Sequence, residues 1–392
     1  MSNDKQPEIR FPGFAEDWKQ RKLIEGVSKI GDGLHGTPSY SEDGDVFFIN
    51  GNNLVNGKIS ITKETKFVNE SDQSKDDKSL NVNTILMSIN GTIGNLAWYN
   101  NEKVMLGKSI AYLTVSDFDK NFVYFYLQTP MMRKYFISNL TGTTIKNLGL
   151  KTIRNTELFV ADLDEQQKIG SFFKQLDDTI ALHQRKLDLL KETKKGFLQK
   201  MFPKNGAKVP EVRFPGFTEA WEERKVGEIF KVTRGQVLAA TETSESITEK
   251  NIYPVYSSQT KNDGLMGYYS DYLFDTAITW TTDGANAGTV NYRNGKFYST
   301  NVNGVLLSDK GYANKAVAEI INRIAWKHVS KVGNPKLMNN VMSEIIITIP
   351  SVEEQETISR FFTQLDSTIT LHERELDLLK ETKKGFLQKM FV

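Results

Sequence analysis

Two segments of this chain occur twice, and the duplication constrains its architecture more than any other feature. Residues 165–202, EQQKIGSFFKQLDDTIALHQRKLDLLKETKKGFLQKMF, return as residues 354–391, and the last sixteen residues of the two copies are identical. A shorter segment, EIRFPGFAEDWKQRK at 8–22, returns as EVRFPGFTEAWEERK at 211–225. The stretches between these repeats differ. Such a pattern predicts two units with the same architecture. The repeated segments are expected to have one role in both units, and the differing segments between them are expected to have a second role that varies from unit to unit.

The composition is that of a globular protein large enough for two domains. Of 392 residues, 39% are hydrophobic and 25% are charged, and a chain of this length has room for two cores. No apolar run reaches the ~18 residues of a membrane span and no secretion leader is recognisable. Cysteine is absent, which excludes disulfides and thiolate chemistry. We therefore expect a cytoplasmic protein with no membrane contact.

The charge balance limits the class of partner. Fifty Lys+Arg against 48 Asp+Glu leave a net charge of +2, whereas nucleic-acid binders are often more basic. Net charge therefore disfavours an entirely sequence-blind polyanion binder, and it leaves open a protein that reads a nucleic acid through local groups.

Residues 165–202 and 354–391 are predicted to be long helices with one apolar stripe. Apolar side chains alternate at spacings of three and four residues, which is the pattern of a coiled-coil seam. A helix of ~36 residues spans roughly 54 Å, and Pro203 ends the first copy. Because the stripe has to be buried, the duplicate is the expected partner. The predicted seam residues are Ile169, Phe173, Leu176, Ile180, His183, Leu187, Leu190, Phe197 and Met201, and Ile358, Phe362, Leu365, Ile369, His372, Leu376, Leu379, Phe386 and Met390.

The segments before each long helix have a constant and a variable part. The constant part is a Phe-Pro-Gly-Phe turn followed by Trp18 or Trp221. We interpret it as a packing element, since buried tryptophans usually serve cores; direct binding by the aromatic residues is the alternative. The variable parts, about 23–160 and 226–349, are rich in β-branched, aromatic, Asn, Gly and Thr residues. They predict short strands and hairpins, with helices near 122–137 and 313–324. Asp162 or Ser351 is the expected N-cap of the long helix that follows.

No arrangement of residues predicts a catalytic or metal site. The four histidines are scattered, and neither HExxH nor a cysteine cluster occurs. The glycine-rich stretches 31–36 and 90–94 match neither a P-loop nor a dinucleotide fingerprint, so we interpret them as loops. His183 and His372 fall on the seam, where a polar residue helps to set register; a metal site or pH switch there is the alternative. We expect no catalytic residue, no metal ligand and no cofactor in this chain.

The repeats resemble one protein family closely. The two EQ-started helices (Glu165-Gln166 and Glu354-Gln355), their LLKETKKGFLQKMF ends and the two FPGF segments are similar to the specificity (S) subunit of type I restriction–modification enzymes, over essentially the whole chain. The resemblance implies an α+β fold with two β-rich target-recognition domains in pseudo-twofold arrangement, separated by two long antiparallel coiled-coil helices. The expected domains are a first target-recognition domain (1–160, with packing segment 8–22), a central repeated helix (161–203), a second target-recognition domain (204–350, with packing segment 211–225) and a C-terminal repeated helix (351–392).

The resemblance also implies a function. Each target-recognition domain reads one half of a bipartite site in double-stranded DNA, and the helices space the halves and dock two methyltransferase (modification) subunits. Restriction/translocase subunits join them. Adenine methylation with S-adenosylmethionine, and the ATP and Mg that cleavage needs, belong to those partners, so the chain is no enzyme by itself. Because the two variable domains differ, we expect an asymmetric target.

Candidate DNA-reading residues are polar side chains in loops of the two variable domains. Base readout needs paired donors and acceptors, and phosphates attract Lys, Arg, Ser and Thr. The candidates are Asn90, Thr92, Lys108, Ser109, Thr143, Thr144, Lys146 and Asn147 in the first domain, and Gln259, Thr260, Lys261, Asn262, Thr281, Thr282, Asn286, Arg293, Asn301, Asn303, Lys336 and Asn339 in the second. Each taken alone is also consistent with an ordinary turn or surface residue. The lysine runs near 191–200 and 380–389 fit spacer phosphates, an acidic partner or a solvated helix face.

Two further classes of protein stay open from the sequence. One is a structural coiled-coil adaptor whose two variable domains bind proteins. The other is a stand-alone enzyme whose active site the sequence does not reveal.

Overall fold

The computed structural model describes residues 6–204, 206–258 and 261–392, which form two compact units. Unit 1 comprises the described residues up to Arg185 together with Arg374–Val392, and unit 2 comprises the described part of Lys186–Glu373. Within these ranges, no helix carries an apolar stretch long and uncharged enough to cross a bilayer.

Short strands and two long helices make up most of the regular structure, which confirms the expected α+β class. The strands are β1 (Lys19–Lys22), β2 (Val27–Asp32), β3 (Tyr40–Ser41), β4 (Val46–Ile49), β5 (Leu54–Val55), β6 (Lys58–Ile59), β7 (Phe67–Val68), β8 (Thr84–Ser88), β9 (Leu96–Trp98), β10 (Val104–Leu106), β11 (Ile110–Val115), β12 (Glu157–Val160), β13 (Glu222–Lys225), β14 (Lys231–Arg234), β15 (Tyr253–Tyr256), β16 (Leu265–Tyr269), β17 (Phe274–Thr281), β18 (Val290–Ser299), β19 (Asn303–Leu307) and β20 (Ile346–Ile349). The helices are α1 (Lys120–Tyr126), α2 (Pro130–Ser138), α3 (Leu150–Arg154), α4 (Leu163–Lys200), α5 (Val226–Ile229), α6 (Lys315–Ala325), α7 (Asn339–Glu344) and α8 (Val352–Lys389).

The two variable domains share a sheet of one topology despite their different sequences. Its strand order is β2-β11-β8-β9 in unit 1 and β14-β19-β17-β18 in unit 2, and neighbouring strands are antiparallel in both. Strand β8 is buried along its whole length, as expected for a strand covered on both faces.

Beyond this shared sheet the units differ. Unit 1 adds a second sheet of order β10-β4-β7-β3, whereas unit 2 extends the shared sheet through β15 and β16. Both additions nevertheless contain a parallel pair followed by an antiparallel strand, β10-β4-β7 in unit 1 and β18-β15-β16 in unit 2.

The helix predicted near 122–137 is wrong as a single element. The chain forms α1 and α2 instead, because Pro130 lacks the N–H that would continue α1 and favours the first turn of a new helix. The hydroxyl of Thr129 accepts the N–H of Met132 and caps α2. The helix predicted near 313–324 is confirmed as α6.

In unit 1 a buried ion pair attaches the FPGF segment to α4. Arg10 donates from Nε and Nη2 to the two carboxylate oxygens of Glu165, both at 2.7 Å, and Trp18 Nε1 donates to Glu165 Oε2 at 3.1 Å. Glu165 and Trp18 are both buried, as a packing element requires. The hydrogen bonds with Glu165 raise the pKa of Arg10 above its ordinary value, although burial opposes this.

Unit 2 repeats this ion pair with one hydrogen bond fewer. Arg213 donates from Nε and Nη2 to the two oxygens of Glu354, both at 2.7 Å. Trp221 is buried as Trp18 is, but its Nε1 has no hydrogen-bond partner among the described residues. The hydrogen bonds with Glu354 likewise raise the pKa of Arg213.

The residues just before and after these glutamates fix the start of each long helix. The Glu165 N–H is accepted by Asp162 Oδ1 at 2.8 Å and the Glu354 N–H by Ser351 Oγ at 3.3 Å, which confirms both predicted N-caps. Each following glutamine donates to the carbonyl five residues earlier: Gln166 Nε2 to Ala161 at 2.9 Å, and Gln355 Nε2 to Pro350 at 2.8 Å. The EQ dipeptide is therefore a structural anchor in both units.

In unit 1 the end of α8 completes the core of the first variable domain. Phe391 packs against Trp18, Phe122 and Phe173, with ring centroids 5.5–6.5 Å apart. The N–H of Ile9 donates to the carbonyl of Lys389 at 2.9 Å. The end of α8 thus lies beside the start of α4, so these two stretches run antiparallel within unit 1.

In unit 2 the end of α4 has the equivalent place. Phe202 packs against Trp221 at 6.3 Å and Phe362 at 6.0 Å, and the N–H of Val212 donates to the carbonyl of Lys200 at 3.0 Å. The sixteen identical residues at the two helix ends therefore have matching surroundings, because each packs against one FPGF segment and the start of one long helix.

Candidate nucleic-acid interface

In unit 1, several predicted DNA-reading residues lie on a small hairpin at one end of the shared sheet. Thr141 and Asn147 exchange two backbone hydrogen bonds, both 2.9 Å, and close a five-residue loop, 142–146. We call residues 141–147 the first hairpin. Gly142 adopts a φ of +89°, where a side chain would be strained and would also meet the carbonyl of Ile145. The hairpin carries Thr143, Thr144, Lys146 and Asn147, of which all but Asn147 are exposed.

The first hairpin is held against the loop that follows β8. Asn147 forms an isolated antiparallel bridge with Asn90, and the N–H of the fully buried Leu148 donates to the carbonyl of Ile89 at 2.9 Å. The structure thus brings the predicted residue Asn90 together with the predicted cluster at 143–147. Thr92 lies exposed in the same loop as Asn90.

Lys108 and Ser109 lie in the turn between β10 and β11, at the same end of the sheet. The carbonyl of Ser109 accepts the N–H of Ile89 at 2.9 Å, which places this turn beside Asn90. Ser109 Oγ accepts from the N–H of Gly51 at 2.8 Å and donates to Asn50 Oδ1 at 3.0 Å, whereas Lys108 is exposed. Ser109 is thus engaged in holding the turn, and Lys108 faces solvent.

Unit 2 has an equivalent hairpin with a different sequence. Ser330 and Lys336 exchange backbone hydrogen bonds of 2.8 and 3.2 Å and close the five-residue loop 331–335. We call residues 330–336 the second hairpin. The buried Leu337 donates its N–H to the carbonyl of Thr282 at 2.8 Å, and Lys336 pairs with Asp283 through a backbone bridge and a 3.8 Å contact from Nζ to Oδ1. Both hairpins are therefore fixed to the loop that follows the same strand of the shared sheet.

Other predicted residues of unit 2 lie at this sheet end but are mostly buried. Thr281, Thr282 and Asn303 are buried, and Thr282 Oγ1 donates to Asp283 Oδ2 at 2.7 Å and to the carbonyl of Val302 at 2.9 Å. Asn301 is exposed and Asn286 is half-buried in the turn after β17. The buried members shape the loops, and the exposed ones are available to a ligand.

Arg293 and Asn339 are engaged inside unit 2. Arg293 is 6% exposed, its guanidinium lies 3.7 Å from the Tyr256 ring centroid, and it donates to Thr279 Oγ1 and to the carbonyl of Asp263. Burial lowers the pKa of Arg293 below its ordinary value. It borders a polar cavity of about 60 Å³, enough for a few waters. Asn339 donates from Nδ2 to the carbonyl of Thr233 at 3.2 Å.

The last predicted residues lie in a segment that is described only in part. Gln259 and Thr260 fall outside the described residues, as does the side chain of Lys261. Asn262 and Asp263 follow with positive φ angles of 50° and 52°. A direct contact of any predicted residue with DNA stays a prediction.

Sequence reasoning missed the two most exposed apolar side chains of the hairpins. Ile145 is 66% exposed on the first hairpin and Val332 is 91% exposed on the second. Both are apolar, whereas the predicted DNA-reading residues are polar, and each is adjacent to one lysine in the sequence. Residues 139–149 and 328–340 contain no acidic residue, so both hairpins present apolar and basic groups together.

All predicted seam residues of α4 and α8 are buried or half-buried. Lys383 pairs with Asp177 at 2.7 Å in unit 1, and Lys194 pairs with Asp366 at 2.7 Å in unit 2. Lys191 pairs with Glu373 at 2.7 Å. Several lysines of the two runs are therefore engaged in intramolecular ion pairs, so fewer are available for phosphates or a partner.

The long helices also expose leucines outside the seam. Leu182 and Leu378 in unit 1, and Leu189 and Leu371 in unit 2, are each more than half exposed. Each directly precedes a seam residue, and the same positions are leucine in both copies. Each unit therefore exposes the same two leucine positions of the repeat, one on each long helix.

Comparisons with known proteins match both repeated units of the chain to one protein family. The family model described as type I restriction modification DNA specificity domain matches residues 15–192 and again 218–381. A Mycoplasma pneumoniae protein named "Putative type I specificity subunit" is 33% identical over 226 residues, which cover 55% of this chain and 77% of the relative. The specificity subunit of the M. pneumoniae type I restriction enzyme MpnII is 37% identical over 142 residues, 36% of this chain and 42% of the relative.

A solved structure has the same fold. The crystal structure of the S subunit of a type I restriction–modification system from M. genitalium matches with a TM-score of 0.66 at 16% identity, over 99% of each chain. The two family matches cover most of this chain, which therefore belongs to the type I restriction–modification DNA specificity family. It is a specificity subunit, which implies recognition of a DNA sequence and assembly with the other subunits of a restriction–modification complex.

Proposed function

We propose that each variable domain reads one half of an asymmetric bipartite site in double-stranded DNA, while α4 and α8 set the spacing of the halves and dock two methyltransferase subunits. The observation that carries this proposal is the pair of hairpins, 141–147 and 330–336, which are anchored alike and differ in sequence. Equivalent anchoring supports one kind of ligand for both, and different sequences support different half-sites.

The electrostatics of the hairpins support DNA as that ligand. Lys146 in the first hairpin and Lys331 in the second are exposed, and neither hairpin carries a carboxylate. Lys336 is also exposed, but its Nζ lies 3.8 Å from Asp283 Oδ1. Lysines beside a duplex neutralise phosphates and release counterions. A net charge of only +2 is then no obstacle, because the positive groups lie where DNA is proposed to bind.

The constancy of the helices supports their proposed role as spacer and docking surface. Two DNA readers on a rigid spacer fix the distance between half-sites. Because the two helix ends are identical in sequence, two copies of one partner are expected to bind equivalent surfaces. The leucine pairs Leu182/Leu378 and Leu189/Leu371 are the proposed apolar contacts of these two surfaces, one pair in each unit.

Chemistry is assigned to the partners. We propose that the methyltransferase subunits bind S-adenosylmethionine and methylate adenine, and that restriction/translocase subunits use ATP and Mg. This chain contributes specificity and no catalytic group. Because the substrate is cellular DNA, we propose that the complex acts in the cytoplasm.

A binding and methylation assay tests the proposal. The chain is assayed alone and co-purified with a methyltransferase subunit of a type I restriction–modification system, on a random-sequence duplex library with radiolabelled S-adenosylmethionine. We expect sequence-selective binding and methylation only from the co-purified complex, at two unlike half-sites separated by a fixed number of base pairs. Methylation by the chain alone would indicate an enzyme, and the absence of selective binding by the complex would indicate a protein-binding adaptor.

A further inference from the structure

We propose that the two hairpins enter the major groove and that Ile145 and Val332 each contact a thymine methyl group in their own half-site. The inference rests on the proposed function and names the atoms that would make part of the readout. Each domain exposes a large aliphatic side chain in the loop of its hairpin, although contact of apolar surface with water is unfavourable.

The exposure of these side chains is imposed by rigid anchoring. Thr141 and Asn147 close the first hairpin, and the buried Leu148 ties it to the end of β8. In unit 2, Leu337 has the place of Leu148, and its carbonyl also accepts the indole N–H of Trp280 at 3.0 Å. Because buried residues fix the ends of both hairpins to the sheet, the two loops are preorganised. A preorganised loop loses little entropy on binding.

The shape of the hairpins fits one groove of a duplex. The major groove of B-DNA admits a two-stranded ribbon and displays a different pattern for each base pair, including the methyl group of thymine. The minor groove is narrower and distinguishes little beyond A·T from G·C. A hairpin whose five-residue loop carries an exposed apolar residue next to a lysine therefore matches the major groove, with the apolar group towards the bases and the lysine towards phosphates.

The apolar residue has a different position in the two loops. Ile145 is the fourth residue of loop 142–146, whereas Val332 is the second residue of loop 331–335. Equivalent hairpins would therefore present their methyl groups at different points along the groove. This difference predicts that the sensitive thymine lies at a different place in each half-site.

The test replaces single thymines by deoxyuridine, which removes only the methyl group. The target is first selected from the random duplex library with the assembled complex, and binding constants are then measured for duplexes carrying one deoxyuridine each. Loss of one buried methyl group should weaken binding about fourfold. We expect one such position in each half-site. In the complex with Ile145→Ala, deoxyuridine at the sensitive position of one half-site should no longer weaken binding. In the complex with Val332→Ala, deoxyuridine at the sensitive position of the other half-site should no longer weaken binding.

Matched controls separate this effect from general damage. Ile61→Ala and Val209→Ala remove methyl groups from exposed side chains elsewhere in units 1 and 2, and should leave every deoxyuridine penalty unchanged. The proposal is overturned if no deoxyuridine weakens binding, if a half-site holds only G·C pairs, or if the penalties persist unchanged in both hairpin variants. Each of these results would still show selective binding, whereas a complex that selects no sequence would contradict the proposed function itself.

Discussion

The buried pairs Arg10–Glu165 and Arg213–Glu354 make a quantitative prediction about how the FPGF segments are held. Replacing Glu165 by alanine removes the acceptor of three hydrogen bonds, two from Arg10 and one from Trp18, and leaves a guanidinium that is only 11% exposed without its partner. Breaking a buried ion pair in this way costs about 3–5 kcal/mol. Glu354→Ala removes the acceptor of two hydrogen bonds from Arg213. Glu354→Ala should destabilise the protein by about 1.5 kcal/mol less than Glu165→Ala does, because one hydrogen bond fewer is lost. This figure is the lower value for a hydrogen bond to a charged group.

Hydrogen exchange followed by mass spectrometry measures this cost in each unit separately. The amides of Ile9 and Val212 are the reporters, because each donates to a carbonyl at the end of a long helix. Glu165→Ala should lower protection of segment 8–22 by roughly two to four orders of magnitude and leave segment 211–225 unchanged. Glu354→Ala should lower protection of segment 211–225 by roughly one to two and a half orders of magnitude and leave segment 8–22 unchanged.

The double variant Arg10→Met/Glu165→Leu is the matched control. Replacing a buried ion pair by apolar groups of similar volume is often neutral, so much of the lost protection should return. The reasoning is refuted if the alanine variants lower protection less than tenfold, or if both segments respond equally to one substitution.

Three further predictions concern the long helices. In unit 1, Leu182→Glu/Leu378→Glu should leave stability within about 0.5 kcal/mol, since both side chains are exposed, but reduce the bound methyltransferase subunits from two to one in native mass spectrometry; two bound subunits would contradict the docking surface. Inserting one heptad into both α4 and α8 should lengthen the spacer by ~10 Å, about three base pairs, as read from the selected DNA site; an unchanged spacer would exclude the ruler role. For Asp366, burial raises the pKa, but the hydrogen bonds from Lys194 and Lys315 outweigh it, so the pKa lies below its ordinary value of 3.8. Its stabilising contribution is therefore present above that value and is lost as the pH falls through the lowered pKa. Asp366→Asn should lower the free energy of unfolding at pH 7 by ~1 kcal/mol, which is measured as a lower midpoint of urea unfolding. The difference in midpoint between the variant and the original protein should shrink below about pH 4, and a difference that stays constant with pH would contradict a stabilising role of the ionised Asp366.

The sequence predicted the elements whose signals are local. The two long helices follow from their heptad pattern, and the caps at Asp162 and Ser351 follow from short polar side chains just before an acidic first turn. The break at Pro130 was also present locally, as the dipeptide Thr129-Pro130, but the apolar run around it suggested one helix.

What depends on distant parts of the chain was not predicted. Glu165 was recognised as part of a motif, but its partner Arg10 is separated from it by 155 residues, and no local rule joins them. Likewise the sequence predicted that the two helices pair, without indicating that Phe391 completes the core around Trp18. The exposure of Ile145 and Val332 follows from the fold of their hairpins, and composition gives no sign of it.

The place of Phe391 in unit 1 has a consequence for the order of folding during synthesis. Unit 2 is formed by the continuous stretch Lys186–Glu373, whereas unit 1 also needs Arg374–Val392. The first variable domain is made first, yet its core lacks Leu387, Met390 and Phe391 until the ribosome has passed them. Contacts so distant along the chain form slowly. Part of the apolar core of the first domain is therefore exposed while the second domain is synthesised. A nonsense mutation near codon 380 would leave that apolar surface exposed permanently.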